Sequence, residues 1–303
     1  MAILPHGHCL FASSNPGLGD QIILNGAINY LTECFDSVCF TSIGGSSVYE
    51  QMCRQWEHNP KVHVHHHHCD TAGLKSSRAN KALKQIHKNN CPHYQYRAIV
   101  LQRPRFQAMA QRYGLSPRHN TWIEMFYCHI VGGSMKEHMN YETRYTHFHA
   151  PRDKKREQKL LDILKLPDKF CFFIDKGSNP MFWFSGKPVT KYPIVTPDWW
   201  SGPDMMVLWE SFHIWDWIAV LERATEIYTI DTAWFHLIKQ LRLDTPRYFI
   251  NNYPVVNSPF RERYLLKCVV NSNYLNDEWD NGWKVVYGPG IEIDGLGERG
   301  RIV

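Results

Sequence analysis

No two of the nine cysteines are spaced as a CxxC pair, and their number is odd. They fall at Cys9, Cys34, Cys39, Cys53, Cys69, Cys91, Cys128, Cys171 and Cys268, several of them inside apolar runs such as SVCFTSI and FCFFI. That scatter argues against a disulfide framework or a zinc site and points to buried thiols in a reducing compartment. Long apolar runs are missing too, and the first residues carry no charged leader ahead of an apolar stretch. The expectation is a soluble, cytoplasmic protein with no transmembrane segment. A large excess of either charge is lacking: the net is +5 with histidine neutral, and the positive charges are scattered. Such mild basicity suits an anionic ligand but is not the footprint of a nucleic-acid binder. The densest basic run, RDKKREQK at Arg152–Lys159, reads as a solvated first helical turn.

Several catalytic signatures are absent as well. There is no GxSxG elbow, and no cysteine stands out with a histidine partner as a nucleophile would. The turn Asn15–Asp20 lacks the lysine of a phosphate-binding P-loop. Gly17 and Gly19 begin a dinucleotide fingerprint, but Ile22 takes its third glycine position, which disfavours a nicotinamide enzyme. No convincing DxD-type metal motif occurs. The tract His63, His65, His66, His67 and His68 invites a metal assignment. Successive strand residues point to opposite faces, so at most two or three could converge. A strand end running into a loop is the simpler reading.

What is present is alternation. Strands are expected at His8–Ala12, Ser37–Ile43, Lys61–Cys69 and Tyr96–Leu101, with helices following Asp20, from Val48 to Trp56, from Ser77 to Lys88 and from Phe106 to Tyr113. Trp122–Val131 is apolar without a clear type, and a polar stretch follows at Gly132–Pro151. A second series then begins: a helix over Arg152–Leu166, a strand at Lys169–Asp175, an aromatic, proline-rich flap at Pro180–Pro203, a helix at Trp215–Ala224, a strand at Glu226–Ile230, a helix at Asp231–Leu241 and a strand at Arg247–Ile250. The remainder is turn-rich, with a loose glycine tail at Gly288–Gly300. Short strands alternating with helices predict an α/β protein with parallel sheets. Two such units, 1–145 and 146–303, would place a cleft at the carboxyl ends of their strands.

Two stretches carry the chemistry. The first is FASSNPGLGDQIILNGAINY at Phe11–Tyr30, a strand, a glycine turn and a helix with Ile22, Ile23, Ala27, Ile28 and Leu31 on one face. Backbone N–H groups of Gly19, Asp20 and Gln21 would be open donors at that helix start, and Gly17 and Gly19 permit close approach. Asp20 reads either as an N-cap or as a carboxylate at the mouth of a cleft. The second stretch is WDWIAVLERATEIYTIDTAWFHLIKQLRL at Trp215–Leu243, in which Asp231 and Thr232 introduce a helix whose N-terminus suits an anion.

GLGDQIILNGAINYL resembles the opening motif of glycosyltransferases with the two-domain GT-B architecture, in particular the heptosyltransferase-like group with its viral and phage relatives. DWIAVLERATEIYTIDTAWFHLIKQL is similar to that group's C-terminal motif. The resemblance implies two Rossmann-like domains facing a central cleft, an acceptor-side domain at 1–145 and a donor domain at 146–303. It makes Asp20 the general base that deprotonates an acceptor hydroxyl. It sets Asp231, Thr232 and Ala233 against the donor's phosphates, with His236 following and Lys176 (or, alternatively, Lys187) as the cation beside them. Ala233 stands where many relatives have glycine. The implied partners are a nucleotide sugar and a glycan, lipid-linked or other hydroxyl acceptor, with no metal or further cofactor and with inversion at the anomeric carbon. Two rivals keep the same fold, a non-catalytic nucleotide-sugar-binding protein and a nucleotide-sugar epimerase.

Overall fold

The computed structural model describes residues 8–13, 18–44, 46–68, 96–100, 145–177, 183–184, 186–197, 211–230, 232–251 and 283–287. The expected helices at 77–88 and 106–113, the segment 122–131 and the tail 288–300 lie outside them. The chain divides into two compact units, Met1–Pro151 and Arg152–Val303. Both are α/β with parallel sheets. No helix among the described residues is long and apolar enough to cross a membrane.

In the first unit the strands are β1 (His8–Ser13), β2 (Ser37–Gly44), β3 (Val62–His68) and β4 (Tyr96–Val100). They are all parallel, in the order β3-β2-β1-β4, with Leu10 opposite both Cys39 and Arg97. Parallel pairing demands crossover connections. These are α1 (Leu18–Ile23) and α2 (Asn25–Cys34) between β1 and β2, and α3 (Ser46–Trp56) between β2 and β3. The single helix expected after Asp20 is therefore two pieces, hinged at Leu24, and it starts earlier than expected. Both pieces still bury one apolar face: Ile22, Ile23, Leu24, Ala27, Ile28 and Leu31 are wholly inaccessible to solvent.

The opposite side of α2 is polar and also buried, because it holds a returning segment of chain. Asn25 makes a two-point pair with the backbone of His149: its Nδ2 donates to the His149 carbonyl at 2.9 Å, and its Oδ1 accepts from the His149 N–H at 2.9 Å. Asn29 Nδ2 donates to the His147 carbonyl at 3.0 Å, and Asn59 Nδ2 donates to Asn29 Oδ1 and Thr32 Oγ1. The His58 and His149 rings stack with centroids 3.7 Å apart. The carboxamides of Asn25 and Asn29 supply partners that the non-repetitive backbone of 147–149 would otherwise lack.

The second unit opens with α4 (Lys154–Leu164). Asp153 caps it, accepting from the N–H groups of Lys155 and Arg156 at 3.0 and 3.1 Å. The helix ends at Lys165, in the left-handed conformation with φ 47°, ahead of Pro167. Strands β5 (Cys171–Ile174), β6 (Ile194–Val195), β7 (Glu226–Thr229), β8 (Arg247–Asn251) and β9 (Trp283–Tyr287) form one parallel sheet in the order β6-β5-β7-β8-β9. A 3₁₀ turn at Ile214–Trp217 continues into α5 (Ile218–Arg223), and α6 (Ala233–Leu241) follows β7. Phe172, Trp217 and Trp234 meet edge to face or tilted, with centroids 5.6–6.2 Å apart, and Phe235 packs on Phe249 and Trp283. Aromatic area of this size supplies much of the burial that stabilises the unit.

Candidate functional site

In an open parallel sheet, ligands bind beyond the carboxyl ends of the strands, where the chain reverses its direction of travel across the sheet. In the first unit the chain lays β2 and β3 on one side of β1 and then β4 on the other, so the reversal falls between β1 and β4. In the second unit β6 lies on one side of β5 and β7 on the other, so it falls between β5 and β7. The two motifs singled out in the sequence follow the strands at these two points. Gly19, Asp20 and Gln21 lie in α1, which follows β1. Lys176 and Gly177 follow β5, and Thr232 and Ala233 follow β7.

In the second unit the structure brings several of these residues together. Ile230 N–H donates to the Ile174 carbonyl at 3.2 Å, extending the pairing past the strand ends. Gly177 then abuts Thr232 so closely that a Cβ at 177 would lie 2.7 Å from Thr232 Cγ2. Trp183 Nε1 donates to the Gly177 carbonyl at 2.7 Å, and the Lys176 ammonium lies 5.9 Å from the centre of the Trp183 ring. Thr232 is the N-cap of α6 in extended conformation, but its side chain makes no capping bond. Its Oγ1 is buried and has no hydrogen-bond partner among the described residues. Ala233 opens α6, half-buried, and His236, one turn on, is buried with its ring 5.2 Å from Phe235. Lys187 is exposed on the segment leading to β6. Asp231 lies outside the described residues.

In the first unit α1 begins at Leu18, so Asp20 occupies its first turn and is not the residue ahead of it. A carboxylate there still complements the helix dipole, as a cap would. The Asp20 side chain and the whole of Gly17 lie outside the described residues. Gln21 is buried, and its carbonyl accepts from Gln55 Nε2 at 3.2 Å, tying α1 to α3. Gly19 is half-buried at the helix start. The histidine tract forms β3 at the edge of its sheet, and among the described residues no three His, Cys, Asp or Glu side chains come together as a metal site. Cys34, Cys39, Cys53 and Cys171 are free thiols. Burial, reinforced by Glu226, pushes the Cys171 thiol up to about 12, out of nucleophilic range.

Gly177 is not among the expected site residues, and Trp183 belongs to the segment expected as a flap. The lysine–glycine pair directly after a buried strand was the available signal, but the contact with Thr232 spans 55 residues and only the sheet order reveals it.

In fold, the chain is similar to glycosyltransferases of the heptosyltransferase-like group. The structure of the ADP-heptose LPS heptosyltransferase II from E. coli matches 96% of this chain and 92% of its own length, with a TM-score of 0.51 and 9% identity. A glycosyl transferase family 9 structure from Veillonella parvula covers 92% of this chain and 85% of its own, with a TM-score of 0.47 and 12% identity. The E. coli heptosyltransferase WaaC with ADP covers 88% and 96%, with a TM-score of 0.39 and 12% identity. No protein-family model matches the chain, and no curated protein matches it by sequence. The resemblance carried by the two motifs thus has a counterpart in the fold.

Proposed function

We propose that the chain is a glycosyltransferase that moves a sugar from a nucleotide-sugar donor to a hydroxyl acceptor without a metal ion. The observation that carries this reading is the placement of both motifs directly after the strands that flank the reversal points of their sheets. The N-terminal unit takes the acceptor side and the C-terminal unit takes the donor. Asp20 accepts the proton of the acceptor hydroxyl as its oxygen attacks the anomeric carbon. The bond from that carbon to the donor phosphate breaks, and the nucleoside diphosphate departs with the electron pair. Attack opposite the leaving group inverts the anomeric centre. The leaving diphosphate gains negative charge, which the Lys176 ammonium and the N-terminus of α6, with Asp231, Thr232 and Ala233 at its head, are suited to stabilise. His236 supports this helix end from one turn inside it. The acceptor is a glycan, a lipid-linked sugar or another hydroxyl compound.

ADP-heptose is the donor named for the E. coli heptosyltransferase of similar fold, so an ADP sugar heads the panel to test, followed by UDP and GDP sugars. Donor consumption is measured with and without acceptors. Asp20→Ala is expected to lower transfer by about a hundredfold or more, the usual range for a lost general base, while donor binding and the melting temperature stay near wild type. Transfer at the wild-type rate in that variant would remove Asp20 from the mechanism.

A further inference from the structure

The geometry points to Gly177 as a positioning residue that acts through Thr232; this rests on the donor-site reading above. The backbone does not require glycine here, because φ at 177 lies outside the left-handed region. Space does. A Cβ at 177 would stand 2.7 Å from Thr232 Cγ2 and 3.6 Å from Thr232 Cβ. Neither backbone yields easily. The Gly177 carbonyl is held by Trp183 Nε1 at 2.7 Å, and the Phe184 N–H donates to the Asp175 carbonyl at 2.8 Å. The Thr232 carbonyl accepts the first turn's bond from the His236 N–H at 3.3 Å. The softest remaining coordinate is the Thr232 χ1 angle, which moves between staggered wells. Turning it would swing the methyl away from residue 177 and carry the hydroxyl with it.

That hydroxyl is the reason the rotamer matters. Thr232 Oγ1 is buried with no partner among the described residues, a costly state for a polar atom. Thr232 fails to cap its own helix, so the hydroxyl is left for an incoming acceptor. The empty space at 177 holds the methyl and so keeps Oγ1 in the one rotamer from which it donates to an oxygen of the donor's diphosphate. Trp183, bonded to Gly177 and lying beside Lys176, keeps that wall of the site in place.

The test compares the full-length wild type with Gly177→Ala and with Gly177→Ala combined with Thr232→Ser, which deletes the obstructing methyl and keeps the hydroxyl. The Thr232 χ1 angle is read from three-bond NMR couplings in wild type and G177A. Affinity for ADP, UDP and GDP is read by calorimetry. A changed χ1 in G177A, about tenfold weaker binding of the diphosphate that wild type prefers, and recovery to within about threefold in the double variant support the inference, since about tenfold corresponds to one lost hydrogen bond. An unchanged χ1, or wild-type affinity in G177A, overturns it while leaving the donor-site reading intact. If G177A does not fold, a folded double variant supports the steric coupling and an unfolded one overturns it. Failure of wild type to bind any of the three diphosphates overturns the donor-site reading itself, and the role of Gly177 with it.

Discussion

At the scale of single residues, the second unit depends on one fully buried carboxylate. Asp216 is inaccessible to solvent, and its Oδ2 accepts from Arg156 Nε at 3.0 Å, Arg156 Nη2 at 2.9 Å and the His213 N–H at 2.8 Å. It therefore joins α4 to the turn ahead of α5. Arg156 reaches solvent, so it is removal of the guanidinium that strands a charge, leaving the buried Asp216 carboxylate uncompensated. Arg156→Ala is expected to cost about 3 kcal/mol, read as a lower urea midpoint at unchanged slope. Asp216→Asn should cost less, because the amide leaves no buried charge behind. Arg152, which spans the carboxylates of buried Glu157 and exposed Glu222, plays a similar part between α4 and the end of α5. None of these pairings was visible in the sequence: Arg156 belongs to a run that reads as solvated, and its partner lies 60 residues away.

At the scale of elements, the polar face of α2 and the segment it grips respond to acid. Burial, together with the stacked His149 ring, pushes His58 down to about 4 from its ordinary 6.5, a backbone hydrogen bond at Gln55 offsetting this only in part. Burial lowers His149 as well. The unfolded chain then binds more protons than the folded one between pH 6.5 and about 4. The contribution of this pair is complete above the unfolded value and is lost progressively as pH falls towards the folded one. The melting temperature is expected to drop between pH 7 and 5, and to drop less steeply in His149→Ala; equal slopes for the two proteins would rule the pair out as the cause. The helices themselves were legible. Ile22 to Leu31 announce an apolar face at helical spacing. The break at Leu24 was not, because Leu24 is as apolar and as buried as its neighbours and only the backbone marks it. Asn25 and Asn29 likewise read as ordinary helix residues, and their value appears only once His147 and His149 return to them.

At the scale of the whole molecule, two compact units, each with its own parallel sheet, predict two calorimetric transitions. A nucleotide sugar at about a hundred times its dissociation constant should stabilise the unit that holds it by about 2.7 kcal/mol. The shift is expected in the transition of the C-terminal unit; a shift confined to the other would reverse the assignment of donor and acceptor sides. The α/β class was legible because SVCFTSI, YRAIVL, KFCFFID and EIYTI are short apolar runs bounded by turn residues. β6 and β9 were not. β6 is two residues in a proline-rich stretch and exists only by pairing Ile194 and Val195 with Cys171 and Phe172. β9 lies 32 residues beyond β8 in the sequence yet beside it in the sheet, a long-range pairing that no local pattern announces. Thr232 and Ala233 of the proposed donor site were legible as a motif, but their approach to Lys176 and Gly177 required the strand order. Trp183 has one further consequence, and it is optical. It is half-buried at the end of β5, whereas Trp215 and Trp217 are sealed in the core. Among the described indoles, Trp183 is therefore the one whose surroundings would change when the proposed site fills, against a constant background from the buried ones. The protein carries its own dye, and Trp183→Phe should diminish the ligand-dependent part of the emission.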